Sequence, residues 1–278
     1  EKFEHAEEIS GESLYDLIKE RGGEGKTTHA CMPGCIIQCS NVIPDKEGKT
    51  IVSPLEYETI GLMGSNLGIG SLDTIAKLNA VCNDLGIDTI ETGAAMGIAM
   101  EAGIAEFGDD EGALNLLDEI KNDTELGRLL AKGTLTAGKT LGVENIPVIN
   151  GQAFPAYDPR AVKAMGVTFA TSPMGADHTY GPMIKTDDFV GASKKAQIMM
   201  AKIDSLGMCM FLRGAITQHM DIVVDLVNAV HGWDLSMDWL DTMAMDTIKD
   251  ELKFNELAGF SNENYRMPAA FTNRKIES

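Results

Sequence analysis

The stretch that most constrains this chain is residues 29–41, His-Ala-Cys-Met-Pro-Gly-Cys-Ile-Ile-Gln-Cys-Ser-Asn. It holds Cys31, Cys35 and Cys39, three of the five cysteines, at C-x3-C-x3-C spacing. Pro33 and Gly34 favour a tight turn, which lets thiolates close in sequence converge on one point. In a chain otherwise poor in cysteine, such a group reads as metal or iron–sulfur ligation rather than as disulfides. A [4Fe–4S] cube takes four thiolates, so the fourth must come from Cys82 or Cys209. The competing reading is that small apolar thiols simply pack in a core. Their density around a Pro-Gly turn weighs against it.

The rest of the sequence reads as mainly helical. Ser10 or Ser13 can cap a first helix with Leu14, Leu17 and Ile18 as its apolar stripe, ended by Gly22 and Gly23. A turn at residues 44–49 precedes a short extended pair, Ile51-Val52, and residues 54–70 are rich in glycine and read as loop. Ser71 caps a helix that Gly86 stops. Asp88 and Glu91 have capping-box spacing for the next, which runs to about Phe107. Helices are expected over 109–121 and 123–132. Helical periodicity is lost from 133 to 155, and Asp158-Pro159 then has the form of a helix start. Further helices are expected over 194–206, 215–231 and 236–257. Few stretches alternate with period two. The fold class is therefore all-α, as two packed helical domains, 1–147 and 148–278.

Composition narrows the partners. A formal net charge of −19 argues against nucleic acid and anionic membranes, and no apolar run is long enough to span a bilayer. The opening Glu-Lys-Phe-Glu-His is not signal-like. Cysteines in odd number without secretory features point to a reducing, cytoplasmic setting.

Two motifs invite over-reading. Gly133-Thr-Leu-Thr-Ala-Gly-Lys139-Thr140 fits the phosphate-cradling P-loop, but Leu126, Leu129 and Leu130 before it have helical spacing where a buried strand is required. His5, His29, His219 and His231 are scattered and read as surface or satisfied residues. His178 differs, because it lies in a polar, glycine-flanked loop, Met-Gly-Ala-Asp-His-Thr-Tyr-Gly. Glu56 and Glu58 flank Tyr57, and two close carboxylates suit acid–base work.

Taken together, several segments resemble the tungsten-dependent aldehyde:ferredoxin oxidoreductases. They are the cysteine loop, Glu56-Tyr-Glu-Thr59, Gly64-Ser-Asn-Leu-Gly-Ile69, Asn83-Asp-Leu-Gly-Ile-Asp88, Pro155-Ala-Tyr-Asp-Pro-Arg160, Ala170–His178 and Asp204-Ser-Leu-Gly-Met-Cys209. The resemblance covers the two helical domains that follow the family's N-terminal pterin-binding domain. It implies a fragment of the enzyme, inactive without that missing N-terminal domain.

What the resemblance implies is specific. Cys31, Cys35, Cys39 and Cys209 would ligate a [4Fe–4S] cluster, leaving Cys82 structural. The family spacing is C-x2-C-x3-C, so this loop carries one extra residue. Asn83 to Asp88 and Asp204 to Cys209 match the two pterin motifs, D-x-x-G-L-D/C, with Asn83 in place of aspartate. Asn83, Asp88, Asp204 and Gly207 would thus serve a tungsten or molybdenum bis-pterin. Glu56 would be general base and His178 would act on the carbonyl oxygen of a small aldehyde, with ferredoxin taking the electrons. The oligomeric state, a homo-oligomer included, stays open. Two alternatives from other classes are an iron–sulfur electron-transfer module without its own substrate site and a zinc-stabilised helical interaction domain.

Overall fold

The computed structural model describes residues 3–182, 184 and 186–273. Helices dominate these residues, with only small sheets beside them. None of the described helices is long and apolar enough to cross a membrane.

Helix α1 (Gly11–Arg21) starts where Ser10 accepts from the Ser13 amide and stops at Gly22. Its last residue, Arg21, makes a two-pronged ion pair with Asp73 at 2.6 and 2.8 Å. Three short antiparallel strands follow, β1 (Lys26–His29), β2 (Ser40–Pro44) and β3 (Thr50–Val52), in the order β1-β2-β3. The cysteine loop is therefore the connection between β1 and β2. Only β3 is legible beforehand, because β1 is polar and β2, buried at most of its positions, does not alternate.

Helix α2 (Tyr57–Met63) occupies part of the stretch expected as loop. The glycines there serve packing. A Cβ on Gly61 would stand 2.4 Å from the Ala156 Cβ, so glycine lets the Pro155–Tyr157 segment lie directly on α2. Helices α3 (Leu72–Leu85) and α4 (Thr89–Glu101) follow, capped by Ser71 and Asp88 as expected. Helix α4 stops at Glu101, short of Phe107. It is apolar on all sides and central: Ala95, Met96 and Ala99 are fully buried, and Gly93 lets the Leu62 carbonyl approach. Helices α5 (Asp110–Lys121) and α6 (Glu125–Leu130) come next.

The P-loop-like stretch forms a helix, α7 (Thr134–Leu141), inside the 133–155 stretch that lacks helical periodicity in the sequence. Glu91 explains it. Its carboxylate accepts the Thr134 amide at 2.6 Å and the Ala153 amide at 2.9 Å. Carboxylate charge thus occupies the N-terminus a phosphate would need. The capping box is only half formed. Asp88 accepts the Glu91 amide, while the Glu91 side chain is drawn away to the Thr134 and Ala153 amides.

Strands β4 (Val148–Ile149) and β5 (Gln152–Ala153) form a hairpin. The expected helix start at Asp158-Pro159 is absent. Asp158 instead accepts from the Arg160 amide and guanidinium, which closes a local turn, and helix α8 begins later (Lys163–Phe169). Helix α9 runs Phe189–Ser205. The expected helix 215–231 is split into α10 (Arg213–Ile216) and α11 (Met220–His231). Thr217 turns its hydroxyl back onto the Arg213 carbonyl at the break. Helices α12 (Met237–Leu257) and α13 (Ala269–Asn273) are the last among the described residues.

The largest hydrophobic cluster takes its buried members from Ile9 to Ala137. Others form around Phe154, Met165 and Phe169 and around Val223, Val224 and Leu240. Leu62, Ala94 and Ala153 join the early and late parts of the chain.

Candidate functional site

The cysteine loop turns as its sequence requires. The Cys35 amide donates to the Met32 carbonyl, and Gly34 has φ +81°, which fits a type II turn over Pro33-Gly34. Cys31 and Cys39 are exposed, Cys35 is half-buried, and Cys209 is exposed at the start of a 3-10 turn. Burial raises the Cys39 thiol pKa, and Glu56 and the thiols of Cys209 and Cys31 push it the same way. Thiols from the two ends of the chain therefore share one neighbourhood. Cys82 stands apart. It is fully buried in α3, and its pKa is pushed up to about 12, mainly by burial. Among the described residues, no three His, Cys, Asp or Glu side chains close around a single-ion point. As a donor set, four thiols suit an iron–sulfur cluster, which spreads its ligands over several irons.

The two segments that resemble D-x-x-G-L, with Ile87 and Met208 after the glycine, prove to be the same turn. The Gly86 amide bonds the Asn83 carbonyl and the Ile87 amide the Cys82 carbonyl; Gly207 bonds Asp204 and Met208 bonds Ile203. Each is a Schellman helix end, with a left-handed glycine after the last turn. The motif's first residue lies in the last turn of its helix and is exposed in both, Asn83 on α3 and Asp204 on α9. Its sixth residue opens the next helix: Asp88 caps α4, and Cys209 precedes the 3-10 turn.

Glu58 is the carboxylate paired with His178. Its Oε1 is 3.6 Å from His178 Nε2 and has no hydrogen bond although buried, while Oε2 accepts the Ala156 amide at 2.7 Å. Asp177 lies 3.9 Å from the other ring nitrogen. Tyr157 stacks on the imidazole, with centroids 5.3 Å apart, and Tyr57 packs on Tyr157. Burial raises the Glu58 pKa, against the Ala156 amide and His178, which lower it. Glu56, the expected base, is exposed at the extended position before α2, with its pKa also raised by partial desolvation of the carboxyl. It sits toward Cys39.

Secondary contacts bring these parts to one face. The Asn41 side chain, just beyond the cysteines, bonds both the amide and the carbonyl of Leu55, which fixes the entry to α2. Thr59 on α2 bonds Thr89 on α4 at 2.8 Å. Burial raises the pKa of Glu58 and of Asp204, and the nearby carboxylates of Asp88 and Asp177 respectively add to it. Beside this face is a cavity of about 1070 Å³, lined among others by Glu56, Tyr57, Phe154, Tyr157, Arg160 and Phe271. Tyr157 is common to the cavity wall and to the His178 stack. Sequence reasoning did not single out Tyr157, and the resemblance implies the acid–base role for Glu56, whereas the carboxylate that faces His178 is that of Glu58. The only available signal was position: Glu58 falls in the first turn of a helix, where it can face Ala156.

The family model described as "Aldehyde ferredoxin oxidoreductase, domains 2 & 3" matches residues 1–278. The tungsten-containing aldehyde ferredoxin oxidoreductase of Pyrococcus furiosus is 28% identical over 267 residues, covering 85% of this chain and 42% of that protein. The Thermococcus kodakarensis enzyme of the same name is 29% identical over 266 residues, with the same two coverages. A Pyrococcus furiosus protein named aliphatic sulfonate oxidoreductase, WOR-like subunit, is 26% identical over 240 residues, 77% of this chain and 37% of that protein. The chain thus spans less than half the length of these curated relatives.

Proposed function

The chain belongs to the aldehyde ferredoxin oxidoreductase family, and from that premise we propose that it carries the acid–base and cluster-binding part of an aldehyde-oxidising enzyme. The reaction is RCHO + H2O → RCOOH + 2 H⁺ + 2 e⁻. The observation that carries this reading is the buried Glu58 oxygen without a hydrogen bond, facing His178 beside both helix-end motifs.

In this reading the 1–147 and 148–278 units meet around the reacting carbonyl. His178 donates to the aldehyde oxygen and orients it. Tyr157 stacking and Asp177 hold the imidazole in place. Glu58 takes the proton from the attacking water. Its raised pKa suits a base that works near neutrality. A tungsten or molybdenum bis-pterin, when bound, supplies the two-electron acceptor. Asn83 and Asp204 would face the pterins, and Gly207 keeps the backbone there open to close approach. Cys31, Cys35, Cys39 and Cys209 would hold the [4Fe–4S] cluster that passes single electrons to ferredoxin. Glu56 stands between the two chemistries.

Viologen reduction by a panel of aldehydes, followed in the anaerobically prepared holoenzyme together with its visible spectrum, tests this. Aldehyde-dependent reduction and broad iron–sulfur absorbance are expected. A colourless, zinc-loaded protein with no turnover would overturn the reading.

A further inference from the structure

The loop that carries His178 has a shape of its own. The fully buried Ser172 donates its hydroxyl to the Gly175 carbonyl, the Gly175 amide donates to the Ser172 carbonyl, and the Asp177 amide also donates to the Gly175 carbonyl. The Asp177 carboxylate then accepts the Thr179 amide and hydroxyl. The imidazole meets Glu58 at 3.6 Å and Asp177 at 3.9 Å, both beyond hydrogen-bond length. Where the ring stands is therefore set by the fastening of this loop and by the stacking of Tyr157.

The loop is fastened at Pro173. Its buried residue offers a carbonyl that accepts two side-chain amides, Asn255 Nδ2 at 2.8 Å and Asn150 Nδ2 at 3.1 Å. A carbonyl oxygen has two lone pairs, and two donors fill them. Asn150 belongs to the turn between β4 and β5, where Gly175 also rests on the Ile149 carbonyl with no room for a Cβ. Asn255 comes from the far end of α12. There Leu240, Ala244, Ile248, Glu251 and Asn255 follow one another at helical spacing on the inward stripe, which turns polar at its last two members. An apolar residue at 255 would continue the packing. Asparagine instead bonds Pro173 and, at 2.9 Å, the Tyr265 hydroxyl.

We infer that Asn255, with Asn150, is a positioning residue for His178: the two amides clamp the Pro173 carbonyl and so set where the loop presents the imidazole. The inference rests on the acid–base role proposed for His178. Because residues 172–179 are bonded to one another, the loop moves as a unit, and a change at Pro173 reaches the ring. With one donor removed, the buried carbonyl is left half-satisfied and the loop is free to tip. A displacement of about 1 Å at a reacting group is enough to cost a large part of its effect. The clamp also joins distant parts of the chain, since the end of α12 and the β4–β5 turn meet on one atom of the His178 loop.

The test uses the holoenzyme as wild type, Asn255→Leu, Asn150→Gly, His178→Ala and the double variant Asn255→Leu/His178→Ala. Aldehyde turnover with viologen is read beside hydrogen exchange of residues 171–180 by mass spectrometry. Asn255→Leu nearly keeps the side-chain volume and removes its donors. Asn150→Gly removes the other donor and suits the left-handed backbone at that position, φ +54°. Each single variant is expected to lower kcat about tenfold, with KM changed less than about twofold, and to speed exchange across 171–180. On the His178→Ala background, Asn255→Leu should lower kcat no further, because a residue acting through His178 has nothing left to position. Wild-type kcat in both single variants would overturn the inference. So would an equal loss on both backgrounds, the mark of a general structural role, and so would unchanged exchange in 171–180. If Asn255→Leu yields no folded protein, Asn150→Gly carries the same expectations and decides in its place. Failure of wild type to oxidise any aldehyde would count against the acid–base reading of His178, while the exchange data would still decide the clamp.

Discussion

Glu58 Oε1 faces His178 Nε2 at 3.6 Å across a contact that closes no hydrogen bond, although 120 positions separate the two residues. The pair is held from both sides: the Ala156 amide grips Glu58, and Tyr157 stacks on His178. A buried carboxylate oxygen left open in this way is ready to take a proton from a third molecule.

Replacing Glu58 by Gln in the holoenzyme is expected to lower kcat by about 10²–10⁴, with little change in KM, as for loss of a group acting in the transition state. Glu56→Gln should cost much less. Steady-state kinetics of both variants decide between the two glutamates; a larger loss in Glu56→Gln would return the role to Glu56.

The raised pKa of Glu58 gives a pH dependence with a definite sign. As a base it works only when ionised, so kcat should fall as pH drops through a value above the ordinary carboxylate range. That acidic limb should vanish in Glu58→Gln. Stability runs the other way. A carboxyl whose folded pKa is raised contributes stability that is fully present below its unfolded pKa and lost as pH rises through its folded pKa. Glu58→Gln should therefore melt higher than wild type at neutral pH, with the gain disappearing in acid. Melting curves at several pH values check it.

Cys82 and Cys209 should separate cleanly. Cys82→Ala removes a buried core thiol and should cost about 1–2 kcal/mol of stability while sparing the cluster. Cys209→Ser should lose the cluster absorbance with little effect on the melting of the metal-free chain, since Cys209 is exposed. Visible spectra after anaerobic reconstitution, read against urea denaturation, test both.

Glu91→Ala should be among the most damaging single changes. It strands the Thr134 and Ala153 amides, and the loss of two charge-assisted bonds to part-buried donors costs about 2–4 kcal/mol. ATP should raise the melting temperature of neither wild type nor variant, because α7 offers no phosphate cradle.

Gly86→Ala and Gly207→Ala should cost nearly the same, about 1 kcal/mol each. Both glycines have left-handed backbones, at φ +69° and +65°, with open space where a Cβ would stand. Strain is then the whole penalty, and a large difference between the two would show that the turns are not equivalent. Urea titration of each variant provides the measure.

Local rules were written in the sequence. Ser10, Ser71 and Asp88 start helices, Gly22 and Gly86 stop them, and Met32 to Cys35 turns as Pro-Gly demands. Each depends on a few neighbouring residues whose backbone preferences act without help. The helical class followed from periodicity. Tertiary structure decided the rest. Glycine at 61 and 138 signalled loops, yet both lie inside helices because Ala156 and Ile146 occupy the space their side chains would fill. Glu91 left its own capping box for α7 because buried amides outbid a local bond to an exposed turn. Above all, the choice of Glu58 as the partner of His178 depended on how the Pro155–Tyr157 segment lies across α2. No local pattern encodes a contact between distant segments; it exists only once the glycines have let the backbones meet.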